Sequence, residues 1–310
     1  MFTKNNNWRA AAFFMLALLL LSLLFCACDK KKQIDSKDYV FKQGETLEYR
    51  TWITQQVDPD GKKENAIRVS IRADVDLKTE STDKKDTAAL KLTFDNIRAN
   101  MANAEGRKPL NLQAQMGNKS FSFDMNPKGR ISNIKAPQSD THKVNEQVSK
   151  LRRIIMDVFP TLPERLTNGT SWERVVKVSE NFDPYGTIEA VTTTSFVAGG
   201  VKNDVYGHEA TSIMVTFDIE LHSVNKTGGL VGEKAIEGAP QDVRISGHGS
   251  GKGKMYFSSK LGRMISSVYE SEVDVTADML YDKVEENKST RQIVRTRIDM
   301  RPREKEKAVK

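Results

Sequence analysis

Residues 67–78 read Ile-Arg-Val-Ser-Ile-Arg-Ala-Asp-Val-Asp-Leu-Lys, apolar and polar in strict alternation. Successive side chains of a strand point to opposite faces, so this period of two predicts a strand with one apolar and one charged face. The pattern recurs at Leu90, Leu92 and Phe94, at Phe121, Phe123 and Met125, and at Ile213, Val215, Phe217 and Ile219. "DPDG" at 58–61 and "NPKG" at 126–129 supply turns. Tyr269 to Ala277 and Ile293 to Met300 alternate on either side of a charged loop and predict a hairpin. The chain is therefore expected to be mainly β, with antiparallel strands in a curved sheet, half-barrel or sandwich-like arrangement.

One stretch departs from this rhythm. Val144, Val148, Leu151, Ile155, Val158 and Phe159 have helical spacing on one face, Ser139, Asp140 or Thr141 can cap the start, and Pro160 stops it. Sequence landmarks then repeat in order. "GETLEYR" at 44–50 parallels "GTSWERV" at 169–175, "LKLTFD" at 90–95 parallels "IMVTFD" at 213–218, and "FDMNPKGRI" at 123–131 parallels "FSSKLGRM" at 257–264. The expectation is two related antiparallel β units, 39–135 and 166–300, joined by one amphipathic α-helix and its connector at 136–165. Residues 301–310 read as a disordered charged tail.

The N-terminus has its own logic. Lys4 and Arg9 precede an apolar run from Ala10 to Ala27 broken only by Ser22, and Cys28 follows at once. A positive start, an apolar core and a small residue before the cut mark a secretory signal. Residues 1–27 are expected to be a lipoprotein signal peptide, Cys28 the lipid-attachment residue and 28–38 a polar tether. Phe25 stands where such signals usually carry Leu. An uncleaved anchor is the competing reading, and it leaves the position of Cys28 a coincidence. Both place the body outside the cytoplasm.

Removing residues 1–27 leaves 283 of the 310 and lowers the net charge from +7 to +5, since Lys4 and Arg9 go and no acid does. The basic residues are spread among many acids and are not interleaved with aromatics, so nucleic acid is not an expected partner. Cys26 and Cys28 are the only cysteines, which leaves the body without a disulfide.

Chemistry-bearing motifs are sparse. His142, His208, His222 and His248 fall in no ligand motif; His208-Glu209 could open a zinc-protease motif, but position 212 is Ser. Gly247, Gly249, Gly251 and Gly253 sit at even separations that fit neither a phosphate loop nor a dinucleotide fingerprint. They instead put a bare stripe on one strand face, open to close approach. Asp95 and Asp218 hold matching places in the two spans, but each follows an apolar Phe and should point outward into solvent. Trp52 and Trp172 are expected in cores. No catalytic residue, cofactor or metal site is expected.

The lipobox, the "KQGETLEYR" opening, the "FPTLPERLTNGTSWERV" centre and the "GKMYFSSKLGRM" strand together resemble a family of bacterial lipoproteins of unknown function. The resemblance implies a duplicated β-rich extracytoplasmic body and supplies no catalytic residues. The resulting expectation is a non-enzymatic binding or scaffolding lipoprotein of the bacterial cell envelope. The membrane would hold it through acyl chains on Cys28, and its partner would be a lipid, another apolar ligand or an envelope protein. The alternative is an envelope hydrolase whose site gathers His208 or His222 with carboxylates.

Overall fold

The computed structural model describes residues 38–83, 86–113, 119–135, 159–181, 187–224, 242–281 and 287–303. Cys28 and the expected helix, up to Val158, lie outside them.

Among the described residues there are twelve strands, and all belong to one antiparallel sheet. The first six are β1 (Thr46–Pro59), β2 (Ile67–Thr82), β3 (Ala88–Asn103), β4 (Gly106–Leu110), β5 (Ser120–Met125) and β6 (Ile131–Lys135). The others are β7 (Ser171–Asn181), β8 (Thr187–Val205), β9 (His208–Val224), β10 (Asp242–Ser258), β11 (Arg263–Leu280) and β12 (Lys288–Pro302). Across the sheet the order is β6-β5-β3-β2-β1-β12-β11-β10-β9-β8-β7, with β4 paired to β3. The two spans expected to form β units thus belong to one sheet, joined where β1 pairs with β12. The "GETLEYR" and "GTSWERV" landmarks open β1 and β7, and the "TFD" landmarks lie in β3 and β9. The two Gly-Arg landmarks close the β5–β6 and β10–β11 turns. Leu92 and Val215 both face the core. β12 also runs into the span expected to be a tail: Pro302 pairs with Tyr49, and Arg303 reaches Glu48 at 2.8 Å and Asp76 at 3.2 Å.

The sheet is rolled with its apolar face inward. Tyr39 N–H donates to Pro127 O in the β5–β6 turn, and the next residue, Val40, donates to Gly262 O in the β10–β11 turn. Five strand spacings separate β5 from β11, which in a flat sheet is roughly 24 Å. Consecutive residues can touch both turns only if the sheet curls. Residues 159–162 extend the closure: Leu162 N–H donates to Lys128 O at 2.9 Å, and Thr161 O accepts from Trp172 Nε1 at 3.1 Å. The segment therefore reaches from the β5–β6 turn to β7, the opposite edge. Tyr39 stacks with Phe41 and meets Phe159 and Phe257 edge-on, so an aromatic plug seals this end of the roll. Gly129 must be glycine here, since its φ is +81° and a Cβ would lie 2.5 Å from Pro160 O.

The alternate glycines leave one face of β10 bare. They face the interior from β10, opposite Phe217, Ile219 and Leu221 on β9 and Tyr269, Val273 and Val275 on β11. The Phe217 and Tyr269 rings close across the bare strand, with centroids 5.7 Å apart. The stripe expected to permit close approach thus admits side chains of its own sheet.

Candidate functional site

The interior is one apolar cluster drawn from both wings of the sheet. Leu90, Phe121, Phe123 and Met125 contribute from one side and Phe196, Ile213, Phe217 and Ile219 from the other, all at most 2% exposed. Their strands place them there by simple alternation, since every inward position of β5 and of central β9 is apolar.

β7 breaks that rule. Its inward positions include Trp172, stacked on Phe196 at 5.1 Å, and then Arg174. Arg174 is only 4% exposed, and its Nε and Nη1 make no hydrogen bond. Thr194, opposite it on β8, is fully buried and its hydroxyl is also without a hydrogen-bond partner. Its positive charge acts on Tyr39 and Tyr269 in the direction that lowers their pKa. Burial pushes both tyrosines well above the usual phenol value, and the Arg174 charge offsets only part of that rise. An isolated cation is costly to bury. Among the described residues no acid forms an ion pair with Arg174. Sequence reasoning missed it. The signal was available in the paralleled "GETLEYR" and "GTSWERV", where Arg174 matches Tyr49, an inward residue whose hydroxyl donates to Met264 O at 2.8 Å.

The outer face is different in kind. A hollow of about 860 Å³ crosses β9 to β2, lined by Arg68, Lys252, Glu270, Glu272, Arg295 and Arg297 among others. Arg295 pairs with Asp58 and, at 2.6 Å, with Glu272, while Arg297 pairs with Glu270. Arg291 holds Asp274, and Arg301 holds Asp299. Charges on this face are largely neutralised by cross-strand or same-strand neighbours. The face that is electrostatically incomplete is the inner one.

The other singled-out residues do not converge. His208 opens β9 and His222 nearly ends it, which separates them by roughly 45 Å of strand. His222 lies 3.3 Å from Glu189 and is half exposed. His248 faces Glu220 and Asp274 across β10's neighbours. Asp95 and Asp218 occupy outward positions five strands apart, counting the strands between them. Among the described residues, no cluster of three or more His, Cys, Asp or Glu could hold a metal ion. No helix among them is long and apolar enough to cross a membrane. Trp172 packs on the core as expected, but Trp52 does not. Tyr49, Thr51 and Ile53 take the inward places of β1, so Trp52 lies on the outer face between Arg301 at 5.3 Å and Arg72 at 6.0 Å.

No family model and no curated protein matches the chain. Among solved structures it is similar to a chain reported as "Lipid-protein interactions in lipovitellin", at 14% identity with a TM-score of 0.45. The likeness covers 85% of this chain and 25% of that one, so this chain spans about a quarter of that chain's length.

Proposed function

We propose that this protein is a non-enzymatic binding module that holds an acyl-chain amphiphile within its rolled sheet, and that acyl chains on Cys28 tether it to a membrane of the bacterial cell envelope. One observation carries the reading: the described strands form a single sheet whose inner face gathers one large apolar cluster from both wings, interrupted by buried polar positions such as Gln55, Thr194 and Thr296, and closed at one end by Tyr39, Phe159 and Leu162. An apolar sheet face has to be covered by another layer or by a guest. Here the wings cover one another, and Arg174, buried at an inward position of β7, has no acid paired with it among the described residues. Apolar surface offers about 25 cal/mol per Å² removed from water, so a long acyl chain gains several kcal/mol by entering. We also read the two meanders, β1–β6 and β7–β12, as copies of one unit. That makes Arg174 a departure from the pattern set by Tyr49.

The reading is tested by exporting the body that follows residue 28 behind a cleaved signal, extracting it with organic solvent and analysing the extract by mass spectrometry. An acyl-chain amphiphile at near-equimolar amount is expected, above that recovered from a control protein exported and purified in parallel.

A further inference from the structure

We infer that Arg174 is the anion receptor of the interior, so that the amphiphile held there carries an anionic head, a carboxylate or a phosphate. The inference rests on the apolar-ligand reading and adds the chemical class of the ligand. Four observations lead to it. The Arg174 side chain points inward from β7, opposite Thr194. It is 4% exposed, and two of its three nitrogens lack a hydrogen bond. No acid pairs with it among the described residues, whereas the outer-face arginines Arg291, Arg295, Arg297 and Arg301 each hold a carboxylate. The residue paired with it across β7 and β8 is Thr194, whose buried hydroxyl also lacks a hydrogen-bond partner.

A guanidinium presents its N–H groups in a planar fork that matches carboxylate and phosphate, and hydroxyls can donate to the remaining oxygens. Such a head placed between Arg174 and Thr194 would satisfy the orphaned groups on both. Its tail would then run along the apolar positions above the plug.

The alternative is that Arg174 guards the sheet edge. Inward-pointing charges on edge strands do discourage edge-to-edge pairing, and β7 ends the sheet order. A guard keeps its charge near water, as long basic side chains do when they can. Arg174 instead has Nε and Nη1 fully out of solvent.

The test uses the full chain in isolated membranes. Three photoreactive probes share one diazirine-bearing acyl tail: a fatty acid, a phosphatidylglycerol and a neutral fatty alcohol. Cross-links are mapped by peptide mass spectrometry to the strands around Phe196, Phe217 and Tyr269. Interior labelling by at least one anionic probe is expected to exceed that by the alcohol about tenfold, as one charge-assisted head contact would give. Which anionic probe does so identifies the head. Arg174→Gln should bring anionic labelling down to the alcohol's level and leave the alcohol unchanged. Arg174→Lys, which keeps the charge, should retain most of the preference. Unchanged alcohol labelling in R174Q shows that the variant is folded; if it is lost, R174K decides, and loss of the preference there would overturn the inference. Equal labelling of the parent by anionic and neutral probes would overturn it, as would a ratio unaltered in R174Q. Interior labelling by none of the three would overturn the apolar-ligand reading and this inference with it.

Discussion

Asp74 shows what a single polar residue contributes to the outer face. It is 4% exposed, accepts from Arg50 Nε at 2.6 Å and Nη2 at 3.2 Å, and accepts from Asn96 Nδ2 at 3.0 Å. Burial pushes its carboxyl up, but the bonds from Arg50 and Asn96, with the charges of Arg50 and Arg303, outweigh burial and hold it below the ordinary value. Asp274 is also lowered, chiefly by its bonds to Arg291. A carboxyl lowered in the folded state contributes stability above its unfolded pKa and loses it as pH falls through the folded one. Asp76 acts the other way, because burial raises it. Glu189 is lowered as well, first by its bond to Lys177, so with three lowered carboxyls against one raised among the described residues the urea midpoint should change little between about pH 7 and 5 and fall below about pH 4. Asp74→Ala should cost about 2–3 kcal/mol at neutral pH, because it leaves Arg50 and Asn96 without their acceptor. A midpoint that rises on acidification, or a variant as stable as the parent, would show that the pair contributes nothing. The sequence identified Asp74 as an outward strand residue. It could not show Arg50, which pairs from the neighbouring strand once the register of β1 on β2 is set.

The glycine strand is the element whose bare face the neighbouring side chains fill. A Cβ at Gly249 would sit 2.5 Å from Glu272 O and 2.7 Å from Val273 Cα, both backbone atoms that cannot rotate away. Gly253 is blocked by the Tyr269 ring. Gly249→Ala should therefore destabilise by about 2–3 kcal/mol through overpacking. Gly200→Ala, where a Cβ meets nothing within 4 Å, is its control and should stay within about 0.5 kcal/mol. Equal thermal shifts for the two variants would show that the stripe does not have to be bare. Alternation in β2, β3, β5 and β9 was legible because their central inward residues are apolar, and the glycine stripe was legible as a bare face. What filled that face was not, because the closure of Phe217 on Tyr269 depends on strands that the sequence does not order. Trp52 was misplaced for a related reason: size and apolarity pointed inward, while the parity set by Tyr49 and Ile53 pointed outward. Arg174 was hidden for the opposite reason. A charged residue in a strand reads as solvent-facing until its parity is fixed by Trp172 and Phe196.

At the scale of the whole molecule, the roll and its plug define an inside, and the N-terminal cysteine is the proposed attachment. Changing Cys28 to Ala should leave unprocessed precursor or release the body, as read by gel mobility and membrane fractionation. Stable anchoring needs two membrane signals such as paired acyl chains. A variant that is processed and sediments with membranes like the parent would exclude Cys28 as the anchor. The central claim, that the apolar interior holds an amphiphile, is tested most directly by native mass spectrometry of the exported body after residue 28. The account predicts a main species heavier than the polypeptide by one acyl-chain amphiphile, which solvent extraction removes. A body that carries only its polypeptide mass, and gains none when incubated with fatty acid or phospholipid, would contradict it.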